Sequence, residues 1–280
     1  MPSIREPIEV SAATKSPKAE SRRFELKVPR INYSGWAFSL LLVGIWQLIV
    51  GMKWVDFNSI RSPLEIASAT GRLILAGTLQ NAIAHTLFVA MTAAGIAAIL
   101  GTTIGVLMGL FPTLRAFLSG SIDFLRILPV VGLFSVVLLI WGTASESEIA
   151  VAAYAATWVM TINTLAGVLA IQPLQWDVAR MLHLSRFNTI RKVVIPSAMP
   201  SILVGYRLGI VSALIVTITA EMLINPAGIG WELIRAQSAL RPDEMWVYVV
   251  FAGTLGYIVN RILVWLVRLA LPGSPAARAE

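Results

Sequence analysis

The sequence predicts an all-α membrane protein, a bundle of about six transmembrane helices. Apolar residues make up 57% of the 280 residues and charged residues 13%, whereas charged residues are roughly a quarter of a soluble domain. The mean hydropathy is +0.77. Lipid tolerates only helices and closed barrels, and the period-two alternation of barrel strands is absent here. The spans are therefore expected to be helices.

Six stretches approach the roughly 20 apolar residues that a helix needs to cross the hydrocarbon core. They are residues 31–52, 85–111, 127–141, 149–171, 201–223 and 245–269. The third is short by itself. The second is rich in glycines, which let helix backbones approach closely in lipid. These are Gly95, Gly101, Gly105 and Gly109.

Basic residues orient the spans, because they are retained on the cytoplasmic side of a membrane. With the N-terminus inside, fifteen lysines and arginines fall on the cytoplasmic side and five on the other. We therefore expect a flexible cytoplasmic tail at 1–30, a transmembrane domain at 31–270 and a cytoplasmic tail at 271–280. The net charge of +7 does not indicate nucleic-acid binding, because the basic tail holds Phe24 as its only aromatic residue.

A charged amphipathic segment, residues 177–200, stands between the fourth and fifth apolar spans. Val178, Met181 and Leu182 recur at helical spacing. Asp177 lies in the first turn, where the helix dipole favours an anion. These features predict a short amphipathic helix outside the membrane core.

The second half of the 177–200 segment predicts another helical stretch, at 186–195. Its pattern places Phe187, Ile190 and Val194 on one face, and Pro196 and Pro200 are expected to end the surface run. Such a helix can fill an apolar groove on another protein. The alternative, an interfacial helix lying on lipid headgroups, is left open by the residues alone.

The 177–200 segment resembles the cytoplasmic loop shared by the transmembrane subunits of ATP-binding-cassette importers. The positions that carry the match and that we expect to contact an ATPase are Asp177, Ala179, Leu182, His183, Ser185, Phe187, Pro196 and Pro200. Val178 and His183 stand where the family carries alanine and glycine. That glycine marks a turn between two short helices, where a left-handed residue is needed.

Further motifs narrow the resemblance to permeases similar to the nitrate, taurine and aliphatic-sulfonate importers. In chain order they lie at 127–129, 141–142, 163–168, 205–208, 220–223 and 228–231. The resemblance covers roughly residues 31–270. Relatives usually show an aspartate at the position of Asn260, so no charged role is assigned there.

The resemblance implies an importer with two membrane subunits, two cytoplasmic ATPases and a periplasmic solute-binding protein. This chain would be one permease subunit of a homodimer in the bacterial inner membrane, with both termini cytoplasmic and the 177–200 segment in a groove on the ATPase. Its cargo would be a small anion, such as nitrate, a sulfonate, taurine or a related organic acid. Independently, no lysine follows a glycine, so a phosphate-binding loop is absent and ATP hydrolysis is expected on the partner subunit.

Four polar residues inside the spans are candidates for the pathway or its gate: Arg207, Glu221, Asn163 and Thr164. Arg207 admits a structural or snorkelling role as well as a role in anion passage. Glu221 is expected near the outer mouth, where it either bonds the Gly228 loop or contacts the binding protein. Mid-span polar groups such as Asn163 more often form interhelical hydrogen bonds than bind cargo.

Two outer loops carry signals of their own. Ser62 and Pro63 form a helix start before an amphipathic stretch that runs to Gln80 along the interface. The turn-rich stretch 225–231 precedes the amphipathic run 232–240. We expect it to dip toward the pathway, with a plain connecting loop as the alternative.

Other functional classes find little support. The H-E-x-x-H and G-x-S-x-G motifs are absent, which argues against an intramembrane hydrolase. The sequence has no cysteine, and neither His85 nor His183 has a metal-ligand neighbour, so no metal or cofactor is expected. An ATP-independent carrier or channel fits the hydropathy but leaves the 177–200 segment without a purpose.

Overall fold

The structure, a computed structural model, describes residues 33–52 and 59–270. The tails expected at 1–30 and 271–280 lie outside the described residues. Within the two described ranges the regular secondary structure is helical, which confirms the all-α fold class. The chain divides into two units, Met1–Gly44 and Ile45–Glu280, and the helical core described below belongs wholly to the second.

The helices follow one another in short order along the described residues. They are α1 Tyr33–Gly51, α2 Pro63–Leu75, α3 Thr78–Leu110, α4 Pro112–Ile127, α5 Val130–Trp141, α6 Ser145–Leu169, α7 Pro173–Met181, α8 Arg186–Thr189, a π-helical turn Ile190–Val194, α9 Ile195–Leu223, α10 Gly228–Ser238 and α11 Pro242–Ala270.

Four of these helical stretches are long and apolar enough to cross a membrane by themselves: Thr78–Leu110, Ser145–Leu169, Arg186–Leu223 and Pro242–Leu269. They contain the predicted second, fourth, fifth and sixth spans. The first predicted span forms α1, whose apolar part at Ala37–Gly51 is shorter than a full span.

The third predicted span, 127–141, differs from the prediction. The helix begins only at Val130 and is 12 residues long, and it meets α4 at an angle of 89°, the geometry of either a broken span or a re-entrant loop. The 111–126 stretch, expected as a loop, is the helix α4 instead. Pro112 suits the first turn of that helix, and Pro129 favours an extended Leu128, so the chain breaks between α4 and α5.

The core of the second unit is a three-helix contact among α3, α6 and α9. A Cβ added at Gly101 would lie 2.7 Å from Met160 Cβ, and one at Gly105 would lie 2.6 Å from Thr164 Cβ. Helix α6 therefore packs against the backbone of α3, as the glycine pattern predicts. Gly95 is the exception, because no atom of a neighbour lies within 4 Å of its Cβ position.

Helix α2 begins where the sequence predicts. The Ser62 hydroxyl accepts from the Glu65 N–H at 3.3 Å, and the Glu65 carboxylate accepts from the Ser62 N–H at 2.9 Å, which forms a capping box. The amphipathic stretch does not run on to Gln80, because Gly77, at φ 76°, separates α2 from α3. The buried face of α2, with Ile66 and Leu73, belongs to the core cluster that includes residues of α11.

The predicted end of the surface run at Pro196 and Pro200 is wrong. Helix α8, the π-helical turn and α9 form one continuous helix of 38 residues, Arg186–Leu223. The Ile195 N–H donates to the Ile190 carbonyl, five residues back, so the regular ladder is already interrupted before Pro196, which has no N–H to donate. At about 1.5 Å per residue the helix is roughly 57 Å long, well beyond the ~30 Å hydrocarbon core.

Candidate functional site

The 177–200 segment begins with the end of α7, which closes in a Schellman motif. The Leu184 N–H donates to the Ala179 carbonyl at 3.1 Å, and the His183 N–H donates to the Arg180 carbonyl at 3.0 Å. His183 takes the left-handed conformation, with φ 47°. The histidine thus occupies the turn geometry that the family pattern assigns to glycine.

Helix α8 starts directly after this turn. The Ser185 hydroxyl accepts from the Asn188 N–H at 3.3 Å and caps the helix. Before the turn, the exposed Asp177 carboxylate lies 3.4 Å from the Arg180 guanidinium. Capping and turn geometry together fix the angle between α7 and α8.

Several large apolar side chains of the 177–200 segment are exposed, although contact with water is unfavourable for them. Met181 is 77% exposed, Phe187 71% and Leu182 66%. Ala179, by contrast, is buried at 4% and anchors α7 on the rest of the molecule. These exposed apolar side chains are available to contact another surface, either a protein or lipid.

The prediction of a single apolar face on 186–195 is wrong. Val194 is completely buried in a cluster with Ile202, whereas Phe187 is exposed. The π-helical turn Ile190–Val194 lies between them and changes the phase of the helix, so residues seven apart no longer share a face. Phe187 is thereby free to contact another molecule.

The 177–200 segment carries exposed basic side chains as well as exposed apolar ones. Arg180, Arg186, Arg191 and Lys192 are all exposed, against the single acid Asp177 in the same stretch. The segment therefore combines exposed apolar residues with a net positive charge.

Arg207 lies on the wall of a cavity of about 610 Å³ between α9 and α11. Its Nε donates to the Asn260 Oδ1 at 2.9 Å. Among the described residues that line this cavity, Arg207 carries the only charged side chain, and the others are largely apolar. The sequence assigned Asn260 no charged role, and in the structure it is the hydrogen-bond partner of Arg207.

The mid-span polar residues of α6 do not form the expected interhelical hydrogen bonds. Asn163 Nδ2 donates to the Val159 carbonyl at 2.8 Å, within the same helix. The Thr164 hydroxyl is buried and has no hydrogen-bond partner. Helix α3 approaches α6 closely at Gly105, which has no side chain to offer as a polar partner.

Glu221 is completely buried and holds the loop after α9 in place. One carboxylate oxygen accepts from the Thr86 hydroxyl at 2.7 Å, and the other accepts from the Gly230 N–H at 2.9 Å. The Ile229 N–H donates to the same Thr86 hydroxyl at 3.0 Å. Of the two expectations for Glu221, the structure shows the bond to the Gly228 loop.

The Glu221 contact depends on glycines of α10. Gly228 has φ 87°, and a Cβ there would lie 2.1 Å from the Glu221 carboxylate. The helix begins at Gly228, four residues earlier than the predicted run 232–240. Thr86 was missed as a partner of Glu221, because one threonine in an apolar span gives no sequence signal of a contact 135 residues away.

Comparison with known proteins identifies the chain's relatives. The family described as "Binding-protein-dependent transport system inner membrane component" matches residues 101–273. SsuC of Bacillus subtilis (strain 168), named for aliphatic sulfonates transport, is 27% identical over 94% of this chain and 97% of its own length. The nitrate import permease protein NrtB of Synechocystis sp. is 26% identical over 87% of this chain and 90% of its own. The bicarbonate transport system permease protein CmpB of Synechococcus elongatus is 32% identical over 63% of this chain and 64% of its own.

Solved structures share the fold. A chain of the MetNI methionine ABC transporter in inward-facing conformations aligns with a TM-score of 0.63 and 16% identity, over 69% of this chain and 96% of that one. A chain of a bacterial ABC transporter that imports the polysaccharide alginate aligns with a TM-score of 0.58 and 15% identity, over 84% of this chain and 98% of that one. The helical architecture is therefore that of ABC importer permeases.

Proposed function

This chain belongs to the family of binding-protein-dependent transport system inner membrane components, and we propose that its 177–200 segment is the surface on which a separate ATPase docks. The chain is a multi-pass membrane permease of the ATP-binding-cassette importer class. Family membership supports this function over an ATP-independent carrier or channel. The bond chemistry of ATP belongs to the docked subunit.

The exposed apolar surface carries the docking proposal. Leu182 and Phe187 are both about two-thirds exposed or more, on helices whose relative angle is fixed by the His183 turn and the Ser185 cap. A preorganised surface loses little conformational entropy on binding, so its apolar area contributes directly to affinity. The exposed basic residues of the segment add electrostatic complementarity to a partner surface that carries acidic residues.

Helix continuity supports a mechanical link from this surface to the transport pathway. The 38-residue helix that starts at Arg186, beside Phe187, ends at Leu223, beside Glu221. Because a helix transmits displacement along its axis, movement of the ATPase against Phe187 shifts α9 as a rigid body. Helix α9 packs on α3, α6 and α11, so the displacement reaches the pathway walls.

The basic-residue distribution supports a cytoplasmic position for the 177–200 segment and for both termini. The chain then lies in the bacterial inner membrane, with the ATPase inside and a periplasmic solute-binding protein outside. A second copy of the permease completes the pathway as a homodimer. The family description, which names a binding-protein-dependent system and an inner membrane component, supports two of these three roles, the binding protein and the permease.

Arg207 supports a small anion as the cargo. Its guanidinium is bonded to a neutral amide, so no carboxylate among the described residues that line the cavity offsets its charge. The side chain is partly buried among apolar residues, where a cation attracts an anion more strongly than it would in water. The names of the relatives, for nitrate, bicarbonate and sulfonates, point to the same chemical class.

The docking proposal is tested by charging the apolar surface. Leu182→Asp and Phe187→Asp place a carboxylate in the centre of the contact, and we expect each to abolish copurification of the ATPase and solute uptake. The matched control is Leu240→Asp, because Leu240 is 87% exposed and lies between α10 and α11, outside the 177–200 segment. Normal assembly and uptake by the Leu182 and Phe187 variants would refute docking through this surface.

A further inference from the structure

His85, Glu148 and Glu221 meet at one end of the helical core although they are far apart in the sequence. One ligand atom from each of the three lies within 4.8 Å of the others. The His85 Nε2 lies 3.2 Å from a Glu148 carboxylate oxygen. Both glutamates are completely buried, and 21% of the His85 side chain is exposed. The expectation that His85 has no metal-ligand neighbour is therefore wrong, because both glutamates come from distant parts of the chain.

The charges of this cluster do not balance. Two buried carboxylates face one imidazole, and in the described part of the chain the recorded ion pairs of Glu148 and Glu221 involve no lysine or arginine. A buried carboxylate without a full counter-charge is costly, because the low-dielectric interior replaces its hydration shell. Either a proton on one of the glutamates or a bound cation is the species that supplies the second positive charge.

One oxygen of Glu148 identifies where that species would bind. The Glu148 Oε1 is buried and has no hydrogen-bond partner, whereas its Oε2 contacts His85. A proton on Oε1 would itself need an acceptor, and a proton on Glu221 would leave Oε1 without a donor, so protonation alone leaves a buried polar group unpaired. A metal ion accepts the lone pair directly.

We propose that His85, Glu148 and Glu221 form a binding site for a divalent transition-metal ion of the Zn²⁺ class. One imidazole nitrogen and two carboxylates are a donor set typical of such ions. Atoms within 4.8 Å of one another lie at most about 2.8 Å from a common centre (4.8 Å divided by the square root of three), so shifts below about 1 Å reach bonds of ~2.0–2.2 Å.

Neighbouring groups support Glu221 as a ligand. Its oxygens each accept one hydrogen bond, from the Thr86 hydroxyl and from the Gly230 N–H, and each retains a second lone pair for an ion. Hydrogen bonds of this kind orient the ligands of metal sites. Thr86 and Gly230 thus hold the carboxylate in position before the metal arrives.

An entry route lies beside the cluster. His85 forms part of the wall of a cavity of about 360 Å³, together with Asn81, Gly228 and Glu232. An ion reaching this cavity meets the exposed edge of the imidazole first and the buried carboxylates next. The bound ion would join α3, α6 and α9 at the end opposite to the 177–200 segment, and so stabilise the fold there.

The proposal is tested on the purified full-length permease, stripped with a chelator, loaded with ZnCl₂ and dialysed. We expect about one zinc per chain by elemental analysis, as the single site implies, and a higher unfolding temperature with zinc than without. Loading with Co²⁺ instead gives visible absorption bands of a low-symmetry N/O site. Wild-type protein that stays metal-free, or shows only the spectrum of hydrated Co²⁺, overturns the proposal.

Variants locate the metal. Glu148→Gln and His85→Gln each remove a ligand, and we expect zinc affinity to fall at least tenfold in both. The matched control is Glu146→Gln, since Glu146 lies in the same first turn of α6 but is exposed, and this variant keeps wild-type affinity. If Glu148→Gln does not fold, the zinc affinity of the His85→Gln variant tests the site, because the His85 side chain is partly exposed. Equal zinc binding by His85→Gln and wild type overturns the site.

Discussion

His183 holds the backbone conformation on which the shape of the 177–200 segment depends. Its φ of 47° lies in the left-handed region, which glycine adopts freely and which costs other residues about 1–2 kcal/mol. The His183 side chain is exposed, so its own packing contributes little. The backbone requirement, and not the imidazole, governs substitutions at this position.

Substitutions at His183 should therefore separate by backbone preference. We expect His183→Gly to keep ATPase copurification and to match or exceed the wild-type unfolding temperature. His183→Val should weaken ATPase copurification, because a β-branched residue is least suited to this conformation. Equal behaviour of the glycine and valine variants would show that the left-handed turn does not determine docking.

Gly228 is required for a different reason, the close approach of the Glu221 carboxylate. Gly228→Ala adds a methyl group 2.1 Å from that carboxylate and should displace it, with a loss of roughly 2–4 kcal/mol of unfolding free energy. Gly77→Ala is the control, since Gly77 has a similar φ of 76° but open space around its Cβ position. The difference between the two unfolding free energies measures the steric cost alone, and no difference would contradict the Glu221 contact.

At the scale of helices, the contact between α3 and α6 depends on backbone approach. Gly105→Ala places a Cβ 2.7 Å from the Thr161 carbonyl oxygen and should cost about 1–3 kcal/mol through forced separation of the helices. Gly95→Ala lies on the same helix in open space and should be neutral or slightly stabilising, because alanine favours the helix. Thermal unfolding in detergent compares the two variants, and equal losses would contradict the packing.

Sequence periodicity predicts elements better than their junctions. Four of the six predicted spans match helices that are long and apolar enough to cross a membrane, because hydropathy alone decides whether a helix remains in lipid. The 89° break between α4 and α5 and the π-helical turn before Pro196 were not, because each depends on the path of the chain in three dimensions. Ser62 was predicted as a cap because a capping box lies within four consecutive residues.

The features of the candidate site also differ in whether they depend on local sequence or on long-range contacts. Leu182 and Phe187 could be singled out from the sequence because they belong to a local motif, whereas the burial of Val194 depends on the π-helical turn and could not be predicted. The contacts of Glu221 with Thr86, and of Arg207 with Asn260, join residues 135 and 53 positions apart. Long-range pairs of this kind leave no mark in a single sequence, because each partner is one polar residue in an apolar span.

At the scale of the whole molecule, the proposed transport of an anion makes the charge on the wall of the cavity between α9 and α11 the feature to test. Arg207 carries the only charged side chain among the described residues that line this cavity. Arg207→Gln removes that charge and keeps a polar side chain. A hydrogen bond to a charged group is worth about 1.5–3 kcal/mol, which corresponds to roughly a tenfold effect or more.

We therefore expect Arg207→Gln to lower anion uptake by about tenfold in proteoliposomes, while ATPase copurification is unchanged, because Arg207 lies outside the 177–200 segment. Asn260→Gln is the control, since it keeps both the Arg207 charge and a neutral amide acceptor, and it should retain most of the uptake. The comparison separates loss of the charge from a change of its partner. Unimpaired uptake by Arg207→Gln would mean that the anion does not pass within reach of Arg207, and the cavity would then be a packing space between subunits.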